Sequence, residues 1–361
     1  MPGGTHGASM SPIPQRLLAI DVGAGTTDVL VWEQGRRPEN SEKLVAPSRT
    51  VTVARRIDEA TGRRARVVFR GPTMGGGACT AALRSHLGAG YEFLATEPAA
   101  LTFADDLEKV SLSGVILVSD DEAEAAIRGG AEEVLAGDID AEALLAVLRR
   151  RGVDTEFHGA AVAAQDHGFN PGGSNRLFRF AAWERAIAEQ RPLRALFYPG
   201  DEIPDELTRL RSAACCLRVL DVPLLAADTG PAALLGVAPE GDGDAVLVNV
   251  GNGHMVCAIA LAGRLAGVLE HHTGRLSGPS LETLLRRFLA GEVTSDEVRQ
   301  DGGHGAALRG PVPAVLPIFV TGPNRDMLQG AGLPLSFPAP FGDMMMTGPA
   351  GLVRAYLARA A

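Results

Sequence analysis

Residues Leu17 to Glu33 read LLAIDVGAGTTDVLVWE: an apolar run, a glycine-rich turn headed by an acid, and a second apolar run. Leu17-Leu18-Ala19-Ile20 and Val29-Leu30-Val31-Trp32 each suit a buried strand. Between them Asp21, Gly23, Gly25, Thr26 and Thr27 predict a hairpin turn dense in backbone N–H groups and hydroxyls. Glycine lets the main chain approach a ligand closely, and successive N–H groups in such a turn form a nest for an anion. A carboxylate at the strand end, beside hydroxyls, suits Mg²⁺, which takes one or two protein oxygens plus waters and phosphates. The plainer alternative is a tight hairpin whose glycines serve geometry alone.

The second half repeats the pattern. Strand Ala245 to Val250, turn Gly251-Asn252-Gly253, strand His254 to Leu261, a tight turn at Gly263 and a third strand to Leu269 are expected. Two glycine hairpins from separate halves suit a nucleotide clamped between two domains.

The rest of the chain bounds the possibilities. Its 361 residues suffice for two domains, and 46% hydrophobic with 21% charged residues describes an ordinary globular protein. A net charge of −9 argues against a nucleic-acid partner, which calls for clustered Lys and Arg. No apolar run is long enough to span a membrane. The first 15 residues carry Gly, Pro and Ser without the apolar stretch of a secretory signal, so a disordered tail on a cytoplasmic protein is expected. The four cysteines, Cys79, Cys215, Cys216 and Cys257, form no C-x-x-C pair.

Between the hairpins, Val51 to Val53 reads as a short strand, Arg66 to Arg70 as another, and Ala78 to Leu87 as a helix opened by the glycine loop 71–77. Strand, glycine loop and helix offer an anion-binding geometry or a crowded turn. Ala123 to Leu135 reads as helix, and Asp120-Asp121-Glu122 fits a helix start. Residues 157–175 open an apolar strand into a polar loop, with Gln165, Asp166 and His167 at the strand end, where α/β sheets put functional groups. His167, His254, His271 and His272 could form a metal or base cluster, or be structural groups each hydrogen-bonded alone.

The stretch 17–33 resembles the first phosphate motif of the actin-like ATPase superfamily (actin, heat-shock chaperones, sugar and acetate kinases), with its D-x-G-x-x-x-T/S between two strands. Ala245 to Leu261 resembles the second phosphate motif, Pro317 to Pro323 the adenosine motif, and Gly342 to Ala361 the second connecting helix. The resemblance implies a two-domain actin-like (ribonuclease H-like) α/β fold with a nucleotide cleft. The expected division is a tail at 1–15, one domain at 16–225 and another at 226–361, with 343–361 as the helix returning to the first. It further implies ATP or ADP with Mg²⁺: Asp21 toward the metal, Gly23, Gly25, Thr26 and Thr27 on the phosphates, Gly251, Gly253 and His254 opposite, and Gly322 near the adenosine. Asp21, His254 and Asp166 are the candidate catalytic groups.

The second motif departs from the pattern. Its leading acid is Asn249, the expected Thr is His254, and the later acid is Val256, while Asp228 partly replaces a missing Glu on the first connecting helix. Asp21, Asp28, Asp166 and His254 are the groups left to compensate. The chain also resembles a family labelled pyruvate formate-lyase activating enzyme-like. A radical S-adenosylmethionine activator needs a C-x-x-x-C-x-x-C motif, which these cysteines do not supply. The expectation is a slow ATPase acting on a protein partner or a phosphotransferase to a small molecule. The alternative is a non-hydrolysing nucleotide-binding or metal-binding protein that kept the fold alone.

Overall fold

The computed structural model describes residues 13–170, 175–241 and 243–360. Residues 1–12 of the expected tail, 171–174 of the expected polar loop, and Ala361 of the expected connecting helix lie outside the described residues.

The apolar run before the first turn forms strand β1 (Arg16–Val22), its partner forms β2 (Thr26–Glu33), and β3 (Glu42–Pro47) completes an antiparallel meander. The chain then leaves this sheet to build a separate parallel one from β4 (Val67–Arg70), β5 (Phe93–Thr96), β6 (Ile116–Val118) and β7 (Glu132–Leu135), in the order β6-β5-β4-β7. It returns with β8 (Gly159–Ala164), parallel to β1, then β9 (Phe197–Pro199) and β10 (Leu224–Ala227), giving the order β3-β2-β1-β8-β10-β9. Strand β8 is fully buried, so Gly-Ala-Ala-Val-Ala-Ala reads as a continuous small apolar run with no alternation, as a strand covered on both faces should.

The second sheet uses β11 (Ala245–Val250), β12 (His254–Leu261), β13 (Arg264–His272), β14 (Gly305–Leu308), β15 (Ile318–Thr321) and β16 (Leu335–Ser336), ordered β14-β13-β12-β11-β15-β16. Its core five strands follow the order of the first sheet's: a three-strand meander with the two later strands beside its first member. Two sheets of one topology, each opened by a glycine hairpin, make this the two-domain actin-like α/β fold.

Two helices join the sheets. Helix Thr229–Val237 follows β10, and helix Thr347–Ala360 comes back from the second sheet to pack on β1 and β8. They cross backbone to backbone: a Cβ added at Gly236 would lie 1.8 Å from the Thr347 carbonyl oxygen, and one at Gly351 would lie 1.9 Å from that of Ala232. Only glycine fits at either position.

Three local expectations are corrected. Residues 51–53 belong to one helix, Arg49–Gly62, because Val53, Ile57 and Ala60 share its buried face at helical spacing. The helix expected over 123–135 is Asp120–Arg128, closed by Gly129 and Gly130 (φ +92°), after which 132–135 are strand β7. The loop 71–77 does hold an anion, but an internal one: the Gly75 amide donates to the Asp138 carboxylate at 3.1 Å, and Arg209 pairs with the same group. At Asp120-Asp121-Glu122 the acids serve a capping box between Ser119 and Glu122.

Candidate functional site

The two glycine turns close in the same way. Gly23 N–H donates to the Thr26 carbonyl at 2.8 Å, and Gly251 N–H donates to the His254 carbonyl at 2.9 Å. Position for position, Asp21 then corresponds to Asn249, Thr26 to His254, and Asp28 to Val256. The turns face each other over a cavity of about 100 Å³, to which Asp21, Gly23, Thr26, Gly251, Gly253, His254 and Gly322 all contribute. Gly25 stands at the mouth, where a Cβ would lie 3.1 Å from Nδ2 of Asn252. Thr27 points to the other face of β2, as strand alternation requires, and its hydroxyl is buried without a partner. Asp166 does not line this cavity: its carboxylate accepts the Gly168 and Leu210 amides, each at 2.8 Å.

Asp28, expected only as a substitute carboxylate, is central to the floor. It sits directly opposite Asp21 in the β1–β2 ladder, so both side chains share one face. Asp21 accepts the Thr229 hydroxyl, and Asp28 accepts that of Thr26 at 3.3 Å. The remaining Asp28 oxygen, Oδ1, is buried with no hydrogen-bond partner. Burial, with the Asp228 charge adding to it, pushes Asp21 up to about 7; burial and the Asp21 charge push Asp28 up to about 8. Among the described residues no Arg or Lys pairs with either group. Two adjacent buried carboxylates, one of them with an orphan oxygen, and two hydroxyls form a hard-oxygen set that fits a Mg²⁺-sized cation. Helix Thr347–Ala360 fixes the pair from behind, since a Cβ on Gly348 would fall 1.9 Å from Oδ2 of Asp21.

The second turn is braced by the Thr-Gly-Pro-Asn segment after β15. Asn324 donates to the Gly251 carbonyl at 3.0 Å, and Gly322 (φ +98°) lies where a Cβ would meet the Val250 carbonyl oxygen at 2.4 Å. A buried ion network reaches the cavity wall through Arg179. Arg179 pairs with Asp228 at the head of helix Thr229–Val237, reaches Glu270 on β13 at 2.9 Å, and donates to the Asp166 carbonyl at 2.7 Å. Burial acts against the Asp228 carboxylate, but Arg179 overcomes it and holds the group below the usual range; at Glu270 burial wins and the group is raised.

The expected histidine set is reshuffled. His254 and His272 are cross-strand partners with ring centroids 4.5 Å apart, and His167 approaches His254 at 5.6 Å. His271 projects from the opposite face of β13 to Asp301 at 3.1 Å and takes no part. Its place is taken by His304, which precedes β14 in a Gly-Gly-His-Gly run and carried no sequence signal. Burial and the nearby Arg179 charge lower His167 to about 4 and His254 to about 2, so both rings are neutral.

The cysteines are dispersed. Cys79 lies in the core beneath the four-stranded sheet, Cys257 in that of the second sheet, and Cys215 and Cys216 end helix Thr208–Cys216. Among the described residues no three of them gather, so one chain alone does not assemble the ligands of an iron–sulfur cluster. Nor is any helix of these residues long and apolar enough to cross a membrane.

No curated protein matches the sequence. Among solved structures, the ethanolamine utilization protein EutJ from Carboxydothermus hydrogenoformans aligns at 11% identity and a TM-score of 0.35, covering 95% of this chain and 91% of that one. The PPX-GPPA enzyme of Aquifex aeolicus aligns at 9% and 0.25 over 86% of this chain and 68% of its own. An exopolyphosphatase-like protein aligns at 8% and 0.24 over 86% and 66%. The model of the family described as "Putative pyruvate format-lyase activating enzyme (DUF1786)" matches residues 74–327, and the chain belongs to that family.

Proposed function

We propose that the cleft binds a nucleotide with Mg²⁺ by its phosphates and acts as a slow ATPase or as a phosphotransferase to a small molecule. The observation that carries this reading is the pairing of two glycine turns, closed by the same hydrogen bond, across one cavity floored by Asp21 and Asp28. In it Asp21 and Asp28 hold the cation, assisted by the Thr26 hydroxyl. Backbone N–H groups around Gly23, Gly25, Gly251 and Gly253 take the phosphate oxygens. Mg²⁺ supplies the neutralisation of phosphate charge on which phosphoryl transfer depends. Gln165, which lines the same cavity, orients the attacking water or acceptor hydroxyl. His254 faces the first turn from the second, and Asp166 is a positioning residue acting through Arg179. A cavity of about 100 Å³ is well below the roughly 300–1,000 Å³ of pockets that bury a ligand. Binding therefore requires the turns to part at the Gly25–Asn252 contact.

Calorimetric titration with ADP and ATP, each with and without Mg²⁺, tests the reading. Roughly micromolar affinity that depends on Mg²⁺ supports it, and absence of binding to either nucleotide overturns it. A second reading, a binding protein without turnover, is favoured by Asn249 and Val256 where the first turn has carboxylates. Intact binding with no phosphate release would select it.

A further inference from the structure

We propose that His167, His254 and His304 form a second metal centre, for a divalent transition metal of the zinc class, distinct from the oxygen-lined Mg²⁺ position. One ligand atom from each of these three imidazoles can be chosen so that all lie within 4.8 Å of one another. The ring centroids are 4.9 Å apart for His254 and His304, 5.6 Å for His167 and His254, and 5.7 Å for His167 and His304. Zinc binds imidazole nitrogen at about 2.0–2.1 Å with tetrahedral angles, so ligand nitrogens about 3.3 Å apart are needed, and the rings would have to draw together around the ion.

Donor chemistry separates this centre from the Asp21–Asp28 floor. Imidazole suits zinc, copper, iron and nickel, while carboxylate and hydroxyl oxygen suit Mg²⁺. The surroundings resemble an outer shell that orients metal-binding histidines. The Gln165 side-chain amide lies 2.6 Å from Nδ1 of His254; turned so that its oxygen accepts from Nδ1–H, it would leave the Nε2 lone pair of that ring for a metal. The buried Glu270 carboxylate stands 3.9 Å from Nδ1 of His304, and the backbone N–H of His304 is anchored on the Glu270 carbonyl at 3.0 Å. Arg179 is the nearby positive charge, and Asp228 and Glu270 both pair with it, which offsets part of its repulsion of a cation. His272, 5.1 Å from His304, flanks the three rings.

The three donors come from both halves of the molecule. His167 follows β8 of the first sheet, while His254 opens β12 and His304 precedes β14 of the second. A bound ion would therefore tie the two sheets together.

The test uses the full chain, freed of metal by chelation and kept without nucleotide, so that failure here leaves the Mg-nucleotide reading untouched. Titration with Co²⁺ is followed by visible absorption, and Zn²⁺ is then added as competitor. One Co²⁺ per chain with tetrahedral-type d–d bands, displaced by Zn²⁺, supports the centre. His304→Ala and His167→Gln should each weaken Co²⁺ affinity at least 100-fold, whereas Asp28→Asn should leave the cobalt spectrum unchanged. Circular dichroism of each variant confirms that it is folded, and His167→Gln, in the less buried ring, serves if His304→Ala is not. Absence of d–d bands in the wild-type chain, or equal Co²⁺ affinity in a folded histidine variant, overturns the proposal.

Discussion

The hairpins at 23–26 and 251–254 share a backbone and part company in their side chains. The first presents Asp21, Thr26 and Asp28; the second, at the same positions, presents Asn249, His254 and Val256. One turn thus offers carboxyl and hydroxyl oxygens and the other an amide and a neutral imidazole. The fold repeats the frame twice, but charge and metal preference are set by three side chains per turn, so the chemistry of the cleft is asymmetric about its own pseudo-repeat.

Replacing Asp21 with Asn should break this contrast most severely. We expect Mg²⁺-dependent nucleotide affinity to fall about 100-fold, or about 2.7 kcal/mol, in calorimetry; an unchanged Kd would remove Asp21 from the site. Gly348→Ala acts on the same group from behind, where the new methyl would meet Oδ2 of Asp21. Overpacking of this kind costs about 1–3 kcal/mol, to be read as a lower urea midpoint, with weakened Mg²⁺ binding beside it.

The pH dependence of stability sharpens the comparison further. Asp21 and Asp28 bind protons more tightly folded than unfolded, with folded values near 7 and 8 against 3.8. Their contribution is therefore lost as pH rises from about 4 to 8. His167 and His254 do the opposite: held neutral when folded, they favour the native state increasingly as pH rises toward 6.5. The two trends oppose each other below 6.5 and the carboxylates act alone above it. Metal-free protein should thus lose stability from pH 6.5 to 8, by at most about 1.4 kcal/mol per pH unit for each group. Asp28→Asn should flatten that slope, as should saturating Mg²⁺; a slope unaltered in Asp28→Asn would count against the shared carboxylate floor. The smallest effect is expected from His254→Thr, which copies the first turn onto the second. It should leave Mg-nucleotide affinity within about threefold, under about 0.7 kcal/mol, while abolishing the cobalt bands.

Both hairpins were legible in the sequence because each combines apolar strands with a glycine turn, a signal contained in seventeen residues or fewer. Val51–Val53 misled because three β-branched residues favour a strand locally, while burial of Val53, Ile57 and Ala60 on one face decides for helix. Glu132, Glu133 and Leu135 are good helix formers that parallel pairing with β4 holds extended. Asp28 could have been found by counting outward from the turn, since positions equidistant from its centre face each other across an antiparallel pair. His304 could not: a single histidine between glycines gains meaning only when β14 docks on β13 and brings it to His254.

The crossing at Gly236 and Gly351 has a mechanical consequence. The two helices meet through bare backbone at these glycines and are tied beside them by Arg354, which donates to the Leu235 carbonyl at 3.0 Å and to that of Ala238. The contact works as a rivet, with the cleft mouth at Gly25 and Asn252 as the tips of a pair of shears. The helix that carries Arg179 packs Phe180 and Trp183 on the second sheet and pairs with Glu270 there, so admission of a ligand larger than the closed cavity works against that buried contact as well.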